Sequence, residues 1–406
     1  FGTVITENMG GYTWHKNSRL NRVTSWSNKA FLDIPSEVIY LQDEINGKTW
    51  SLGLNPMPDE NNYNIIYGFG YAKYLHTSDD VEQELEIFVP NTDSVKIGIL
   101  KLNNKSLERK SLRIVYYLKP VLDEDEAKSN RYLNLEYNRN ANLVEIQNLY
   151  ENEFKSIMFV SSSEKIKSYT GDKNSFLGKG GLQSPDGLKR YRLDNKNSLG
   201  GKPCVAIELE VELDSMSDKE IVLTMGVHEN AVDLKNIAYK YSKISNCRQE
   251  LEDVKRKWTE MLEKIQVYTP LESMNIMLNG WSLYQTMTSR LLGRTGFYQS
   301  GGAYGFRDQL QDSLAFKYIK PEMVRIQILK HSNHQFIEGD VEHWWHEETN
   351  RGIRTRFSDD LAWLPYVVEQ YIDTTGDFGI LEKETSYLKG EQLKQEEEER
   401  YDLYEE

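Results

Sequence analysis

The sequence predicts a chain that is β first and α second, a large antiparallel sandwich followed by a helical linker and a helical domain. Three observations predict it. Short alternating or aromatic-rich runs recur between turn signals through residues 1–230, the mark of repeated strands. The pattern changes near residue 231, where a charged stretch without proline or glycine begins. From Pro270 onward, apolar residues recur at helical spacing. A chain of 406 residues is also too long for one ordinary core, so more than one domain is expected.

The predicted strands are residues 2–6, 38–43, 64–74, 82–89, 95–103, 111–118, 155–160, 205–213 and 220–227. Between two of them stands Asn46-Gly47, a strong hairpin signal because both residues tolerate positive φ. Residues 171–187 are glycine-rich and charged, and read as a long loop. They lack the Lys-Ser/Thr pair that a phosphate-binding loop needs. Residues 10–28, GGYTWHKNSRLNRVTSWSN, alternate aromatic with polar side chains. Two readings stay open there: a binding edge that reaches a neighbouring domain, or a sandwich edge strand with one solvated face.

The linker, residues 231–269, carries Ile237, Tyr241, Ile244, Leu251, Val254, Trp258, Leu262 and Ile265 at helical spacing and reads as one or two helices. The third domain, residues 270–406, then gives helices at 271–292, 308–319, 321–336, 358–373 and 378–388. Pro321 suits a first helical position. Ser358 with Asp359 and Asp360 suits a capped helix start, where carboxylates meet the positive end of the helix dipole.

Composition narrows the function. A net charge of −14 repels a phosphate backbone, so nucleic-acid partners are not expected. Two cysteines, Cys204 and Cys247, lie far apart in sequence and make no disulfide framework. That favours a reducing, cytoplasmic setting. Neither an apolar run of membrane-spanning length nor a secretory signal is seen. Starting inside strand-like sequence at Phe1 and stopping after a charged run, the chain reads as cut from a longer protein.

Residues 298–312, YQSGGAYGFRDQLQD, are the densest run of side chains that bind by directed hydrogen bonds. The glycines suit a loop, and the loop runs into a helix start. On that helix Asp308 and Asp312 share one face at i and i+4, and Arg307 and Gln311 share its neighbour. Two readings are open, a capped helix with an ion pair, or a sugar site with Tyr298 supplying an aromatic face. A second polar cluster fills residues 338–360, EGDVEHWWHEETNRGIRTRFSDD. His343-Trp344-Trp345-His346 does not match the His-Glu-x-x-His metal pattern, so no metal is expected. A loop of over twenty residues without its own structure is commonly functional, and this one offers Trp345, Arg354, Arg356, Asp359 and Asp360 to a sugar and an anion.

The runs at residues 279–312 and 338–368, with the opening at residues 1–28, resemble glycoside hydrolase family 94, the inverting β-glucoside phosphorylases. The likeness is greatest to the phosphorylase-like region of cyclic β-1,2-glucan synthases and to 1,2-β-oligoglucan phosphorylases. It spans both halves of the chain. The resemblance implies an N-terminal β-sandwich, a helical linker and the first part of an (α/α)6 catalytic barrel. With about five helices predicted after Pro270, only part of such a barrel is present. Arg307 and Asp312 are implied at the non-reducing sugar subsite, with Tyr298, Gln311, Asp308, Trp345, Asp359 and Asp360 as further substrate-binding candidates. The implied reaction is inverting phosphorolysis of a β-linked glucan, β-1,2 in the most similar members, to α-glucose 1-phosphate. Inorganic phosphate is then the co-substrate and no cofactor is used. A phosphorylase needs cationic groups to hold its anionic nucleophile, and Arg354 and Arg356 are the candidates. The family's general acid is an aspartate in a Trp-Asn-Asp motif. That motif is absent here, so the acid is expected after Glu406 and this stretch alone is expected to be inactive. The implied partners are a glucan oligosaccharide and a larger membrane-associated synthase; the long sandwich edges and the aromatic N-terminal segment suggest a homodimer. Two competing functions are a non-catalytic glucan-binding or chain-measuring module and an inverting glucan hydrolase.

Overall fold

The computed structural model describes residues 1–29, 31–150 and 155–405; Glu406, beyond which the general acid is expected, lies outside them. The chain divides into two compact units, Phe1–Arg256 and Lys257–Glu406. The division falls inside the helix Ile244–Leu262. The helix Ala231–Tyr241 and most of Ile244–Leu262, read above as linker, therefore pack with the first unit. Among the described residues no helix is long and apolar enough to cross a membrane.

The first unit is the antiparallel sandwich. Its nine-stranded sheet runs in space from Ser198–Leu199 through Leu133–Asn138, Leu143–Asn148, Ile157–Ser162, Asp218–His228, Val95–Asn104, Val81–Phe88 and Tyr71–Ser78 to Tyr63–Gly68. A five-stranded sheet orders Ser168–Asp172, Pro203–Leu213, Lys110–Leu118, Glu37–Asp43 and Thr49–Ser51. Period-two alternation sends Ile221, Leu223, Met225 and Val227 of one sheet and Ile207, Leu209, Val211 and Leu213 of the other into one shared core. Asn46-Gly47 turns the chain as predicted, with Gly47 at φ 76°.

Three expectations change. The run at 64–74 is not one strand but the hairpin Tyr63–Gly68 and Tyr71–Ser78, turned at Gly70 with φ 83°. Residues 171–187 are not an open loop. Short helices at Lys173–Leu177 and Asp186–Lys189 lay Phe176, Leu177 and Leu188, with Leu193 just beyond, on the outer face of the five-stranded sheet, against Val38, Tyr40, Val115 and Tyr117. That second cover explains why Lys110–Leu118 is buried on both faces over most of its length. Residues 10–28 are not a solvated edge either: the strand Met9–Trp14 is buried throughout, within a separate four-stranded sheet.

Beneath that sheet lies a buried ion pair. Lys96 and Glu37 are 3% and 1% exposed and in direct contact. The Lys96 ammonium also reaches Thr13 Oγ1 at 3.2 Å, and the Tyr116 hydroxyl donates to Glu37 at 2.6 Å. Gly10 is required beside it, since a Cβ there would fall 1.9 Å from Glu37 Oε1.

The second unit is helical around a small sheet. Residues 272–292 form one helical run in which two stretches, Met277–Trp281 and Thr286–Leu292, widen to i→i+5 turns. Met287 and Leu291 of that run pack with Phe316, Ile319 and Trp258. Helices follow at Phe306–Ser313, Pro321–Ser332 (proline at its start, as predicted) and Asp360–Thr375, which ends on Gly376 in the left-handed region at φ 69°. The helix predicted at 378–388 is only a short 3-10 stretch, Phe378–Glu382. The region read as an unstructured loop, 338–360, holds the antiparallel hairpin Glu342–His346 with Arg351–Thr355. It is flanked by Tyr304–Gly305 on one side and Glu399–Leu403 on the other.

Removing one member of a buried charge pair leaves the other uncompensated, at a cost of about 3–5 kcal/mol. Lys96→Met is therefore expected to lose about that much in urea unfolding. Lys96→Met/Glu37→Leu is expected to recover most of it, and equal losses in single and double variants would show that the pair is not the cause.

Candidate functional site

The motif Phe306-Arg307-Asp308-Gln309-Leu310-Gln311-Asp312 is a helix start, and its apolar members decide how it sits. Phe306 and Leu310 are fully buried in a core with Tyr304, Val324, Ile328, Trp345, Leu364 and Val367. That face fixes the helix, so the positions between them turn outward. Gln309 is the polar exception and is also buried. Its Oε1 accepts from the Gly305 N–H at 2.5 Å and its Nε2 donates to the Arg290 carbonyl at 3.0 Å. Gln309 thus caps the helix from within and fastens it to the run 272–292. The loop before it is closed by Arg294, whose Nε donates to the Gly302 carbonyl at 3.0 Å. Gly302 takes φ 72° there, a conformation that favours glycine.

The outward groups meet those of the helix Asp360–Thr375. Arg307 Nη1 donates to Asp359 Oδ2 at 2.9 Å, across from one helix start to the other. Arg290 Nε donates to Asp312 Oδ2 at 2.7 Å, and its Nη2 lies 3.5 Å from Asp308 Oδ2. As the i, i+4 spacing predicts, Asp308 and Asp312 share a face and a cation. Asp360 is buried and accepts from His343 Nδ1 at 2.7 Å, while the His343 ring leans on Phe357. That hydrogen bond to the Asp360 carboxylate holds the His343 pKa above its ordinary value, with partial burial opposing it. Each of Asp312, Asp359 and Asp360 is therefore bound to a basic side chain. The cluster thus sets acceptors beside donors at the surface, an arrangement that suits hydroxyl-bearing groups.

Not every candidate belongs to it. Tyr298 is exposed in the preceding loop, its ring edge-on to Phe297, and Gln311 is exposed on the motif helix. Trp345 is not a sugar platform, because it is fully buried with its ring against Tyr304, His331 and His334. Its neighbour Trp344 is the partly exposed one, beside Tyr401. Arg354 does not serve an anion: it is 1% exposed. Its Nε and Nη2 donate to Asp340 at 2.6 Å, Nη2 also reaches Glu338 at 3.1 Å, and Nη1 donates to the Gly390 and Glu391 carbonyls. Arg356 is exposed, and its donors Nε and Nη2 meet the backbone carbonyls of Leu393, Lys394 and Glu397. Those partners leave its charge uncancelled. Arg290, Gln309 and His343 are the site-forming residues that the motif reading did not select. The helix placing Arg290 is visible in the sequence, but its reach to Asp312 is not.

Comparison with known proteins agrees with this architecture. The glycosyl hydrolase 94 supersandwich domain matches residues 1–244, and the glycosyl hydrolase 94 superfamily catalytic domain matches residues 257–400. The chain belongs to the glycosyl hydrolase 94 family. It is 30% identical over 97% of its length to the cyclic beta-(1,2)-glucan synthase NdvB of Rhizobium meliloti (strain 1021), covering 14% of that protein. It is 23% identical over 96% of its length to the N,N'-diacetylchitobiose phosphorylase of Vibrio proteolyticus, covering 53%. With the solabiose phosphorylase of Paenibacillus borealis it shares 23% identity over 86% of its length, covering 45%. The chain thus spans about half the length of these two phosphorylases and a seventh of the synthase. A bacterial glucoamylase solved with acarbose superposes with a TM-score of 0.55 over 92% of this chain and 55% of that one, at 10% identity. This likeness is one of fold: the sandwich followed by the beginning of an (α/α)6 barrel.

Two outcomes are expected from the geometry. A raised folded pKa means that the His343–Asp360 bond stabilises the fold fully below the unfolded histidine value near 6.5, and that the contribution is lost as pH rises through the folded value. Asp360→Asn should therefore cost more stability at pH 6 than at pH 8.5, and should return the His343 titration, read by NMR, toward 6.5. Arg354→Ala should lower stability in urea by removing a buried guanidinium's hydrogen bonds to Asp340 and to the Gly390 and Glu391 carbonyls, while leaving phosphate affinity unchanged.

Proposed function

We propose that this chain supplies the sugar-gripping part of a glycoside phosphorylase acting on β-linked glucans, β-1,2-linked in the first instance. The reaction is inverting phosphorolysis to α-glucose 1-phosphate. The observation that carries this reading is the pairing along the motif helix and at the start of the next: Asp312 with Arg290, Asp359 with Arg307, Asp360 with His343. A carboxylate positioned beside a cation offers a sugar hydroxyl an acceptor and a donor side by side. Asp308 and Asp312 share one Arg290 guanidinium on one helix face, so they act together on one group and not as acid and base on opposite sides of a scissile bond. Their role is to grip the glucosyl unit, with Arg307 donating to its hydroxyls and Tyr298 and Gln311 at the periphery.

The proton comes from a residue outside this cluster. Phosphate, already an anion, needs no base to activate it, only positive charge to hold it in line. Arg356 is the candidate for that charge, since its hydrogen-bond acceptors among the described residues are backbone carbonyls. On this reading phosphate is the co-substrate and no cofactor takes part. The working protein is a cytoplasmic homodimer or the phosphorylase-like region of a larger membrane-associated synthase. Support comes from family membership and from the relatives, a cyclic β-1,2-glucan synthase and several disaccharide phosphorylases.

Product analysis of the full-length protein on a β-1,2-glucan separates the alternatives. Glucose 1-phosphate formed only with phosphate is the expected result. Free glucose independent of phosphate would mean a hydrolase, and binding without turnover a glucan-holding module. Arg307→Ala and Asp312→Asn should each lower kcat/KM by tenfold or more, since a hydroxyl left without its partner typically costs over 1 kcal/mol. Arg356→Ala should raise the KM for phosphate alone.

A further inference from the structure

One nitrogen of the second unit is held in place and left open. His343 Nδ1 donates to Asp360 Oδ2 at 2.7 Å, and Asp360 is 1% exposed, so the ring cannot turn without stranding a buried carboxyl. The other nitrogen, Nε2, meets no hydrogen-bond partner among the described residues and is not buried, on a side chain 30% exposed. Beside it stands the ring of Phe357, with centroids 4.7 Å apart and planes tilted by 34°. Phe357 is 56% exposed. The strand pairing fixes where these two rings lie. Trp344, next to His343, pairs with Gly305, one residue before the helix Phe306–Ser313. The imidazole is near enough to that helix for Asp308 to favour its charged form and Arg307 to oppose it.

We infer that His343 and Phe357 form a recognition wall for one glucosyl unit, with Nε2 on a sugar hydroxyl and the Phe357 face against the CH side of the pyranose. This rests on the reading that the neighbouring cluster grips a sugar, and it gives that cluster two residues of a different kind. The surroundings select the class. Asp308, Asp312, Asp359 and Asp360 outnumber Arg290, Arg307 and His343, so the balance of charge is against an anion at this wall. A cation would compete with three basic groups already seated on those carboxylates. A pyranose carries an apolar CH face and a rim of hydroxyls, which match an open aromatic face beside a fixed polar nitrogen. Phe357 thus supplies the aromatic surface that Trp345, fully buried, cannot. Asp360 keeps one proton on Nδ1, so Nε2 accepts from a hydroxyl when the ring is neutral and donates to it as an imidazolium. The charged donor makes the stronger bond.

The test measures binding of the β-1,2-linked glucose disaccharide to the full-length protein by calorimetry, without phosphate and so without turnover. His343→Asn decides it, because the amide keeps a donor for Asp360 and lacks the outward nitrogen. Binding should weaken tenfold or more while urea unfolding stays close to that of the unmodified protein. Phe357→Ala, at an exposed position, should weaken binding at least threefold, and Phe357→Tyr should keep it. Affinity of the unmodified protein should fall as pH rises through the folded His343 value, where Nε2 loses its proton, and His343→Asn should abolish that fall. A folded His343→Asn protein that binds as tightly as the unmodified one would overturn the proposal, leaving His343 only the task of holding Asp360. Should that variant fail to fold, undiminished binding in Phe357→Ala would overturn it instead. Binding lost in Arg307→Ala but kept in His343→Asn would sink this inference alone. Binding kept in both, or absent from the unmodified protein, would sink the sugar reading of the cluster with it.

Discussion

The second unit depends on the burial of one indole. Trp345 stands in the middle of the strand Glu342–His346, fully buried, with its ring near-parallel to Tyr304 and to His334 and edge-on to His331. Tyr304 opens the short strand that leads directly into the motif helix, so the indole sets where Arg307 begins. Two residues earlier His343 holds Asp360, the first residue of the next helix. One packed side chain therefore spaces two helix starts, and with them the Arg307–Asp359 bridge. Truncating a buried tryptophan costs about 3–5 kcal/mol, and here the loss would fall on the geometry of the cluster as well as on stability.

The same residue shows what sequence could and could not reveal. Strands of the sandwich were legible because alternation reports a buried face directly: Ile221, Leu223, Met225 and Val227 all point one way into the core. The motif helix was legible because its glycines give way to a helix start with Asp308 and Asp312 four apart, although it begins earlier than expected, at Phe306. The hairpin at Glu342–His346 and Arg351–Thr355 was not. Its register shifts between Glu342 and Trp344, which breaks alternation, and its buried members include Glu342, His346 and Arg354. Polar residues look like loop unless their partners are known. Those of Arg354 include the carbonyls of Gly390 and Glu391, 36 and 37 residues away. Local reading therefore placed Trp345 and Arg354 at a surface, and tertiary partners put both inside.

Glycines follow a similar division. Gly47 was legible because a tight hairpin needs positive φ. Gly10 and Gly352 were not, because what they require is space for a distant carboxyl, Glu37 in one case and Glu342 in the other. In both places the glycine is the only sequence trace of a buried acid.

Burial also sorts the charges by what they can do. Lys96–Glu37 and Arg354–Asp340 have at least one member almost wholly out of water, where breaking the pair strands a charge. They hold structure together and cannot be lent to a ligand. Arg307 and Asp359 have side chains 45% and 51% exposed, and Arg290 with Asp308 is similar. Pairs of that kind are worth about 0–1 kcal/mol, comparable with one ordinary hydrogen bond. A sugar hydroxyl can enter such a pair, donating to the carboxylate and accepting from the guanidinium, at little cost to the fold. Of the cluster, Arg307–Asp359 and Arg290–Asp308 are therefore the pairs free to exchange with a ligand, because they are weak, whereas Asp360 is buried and stays with His343. Arg354, which looked like an anion ligand on charge alone, is unfit because its bonds are strong.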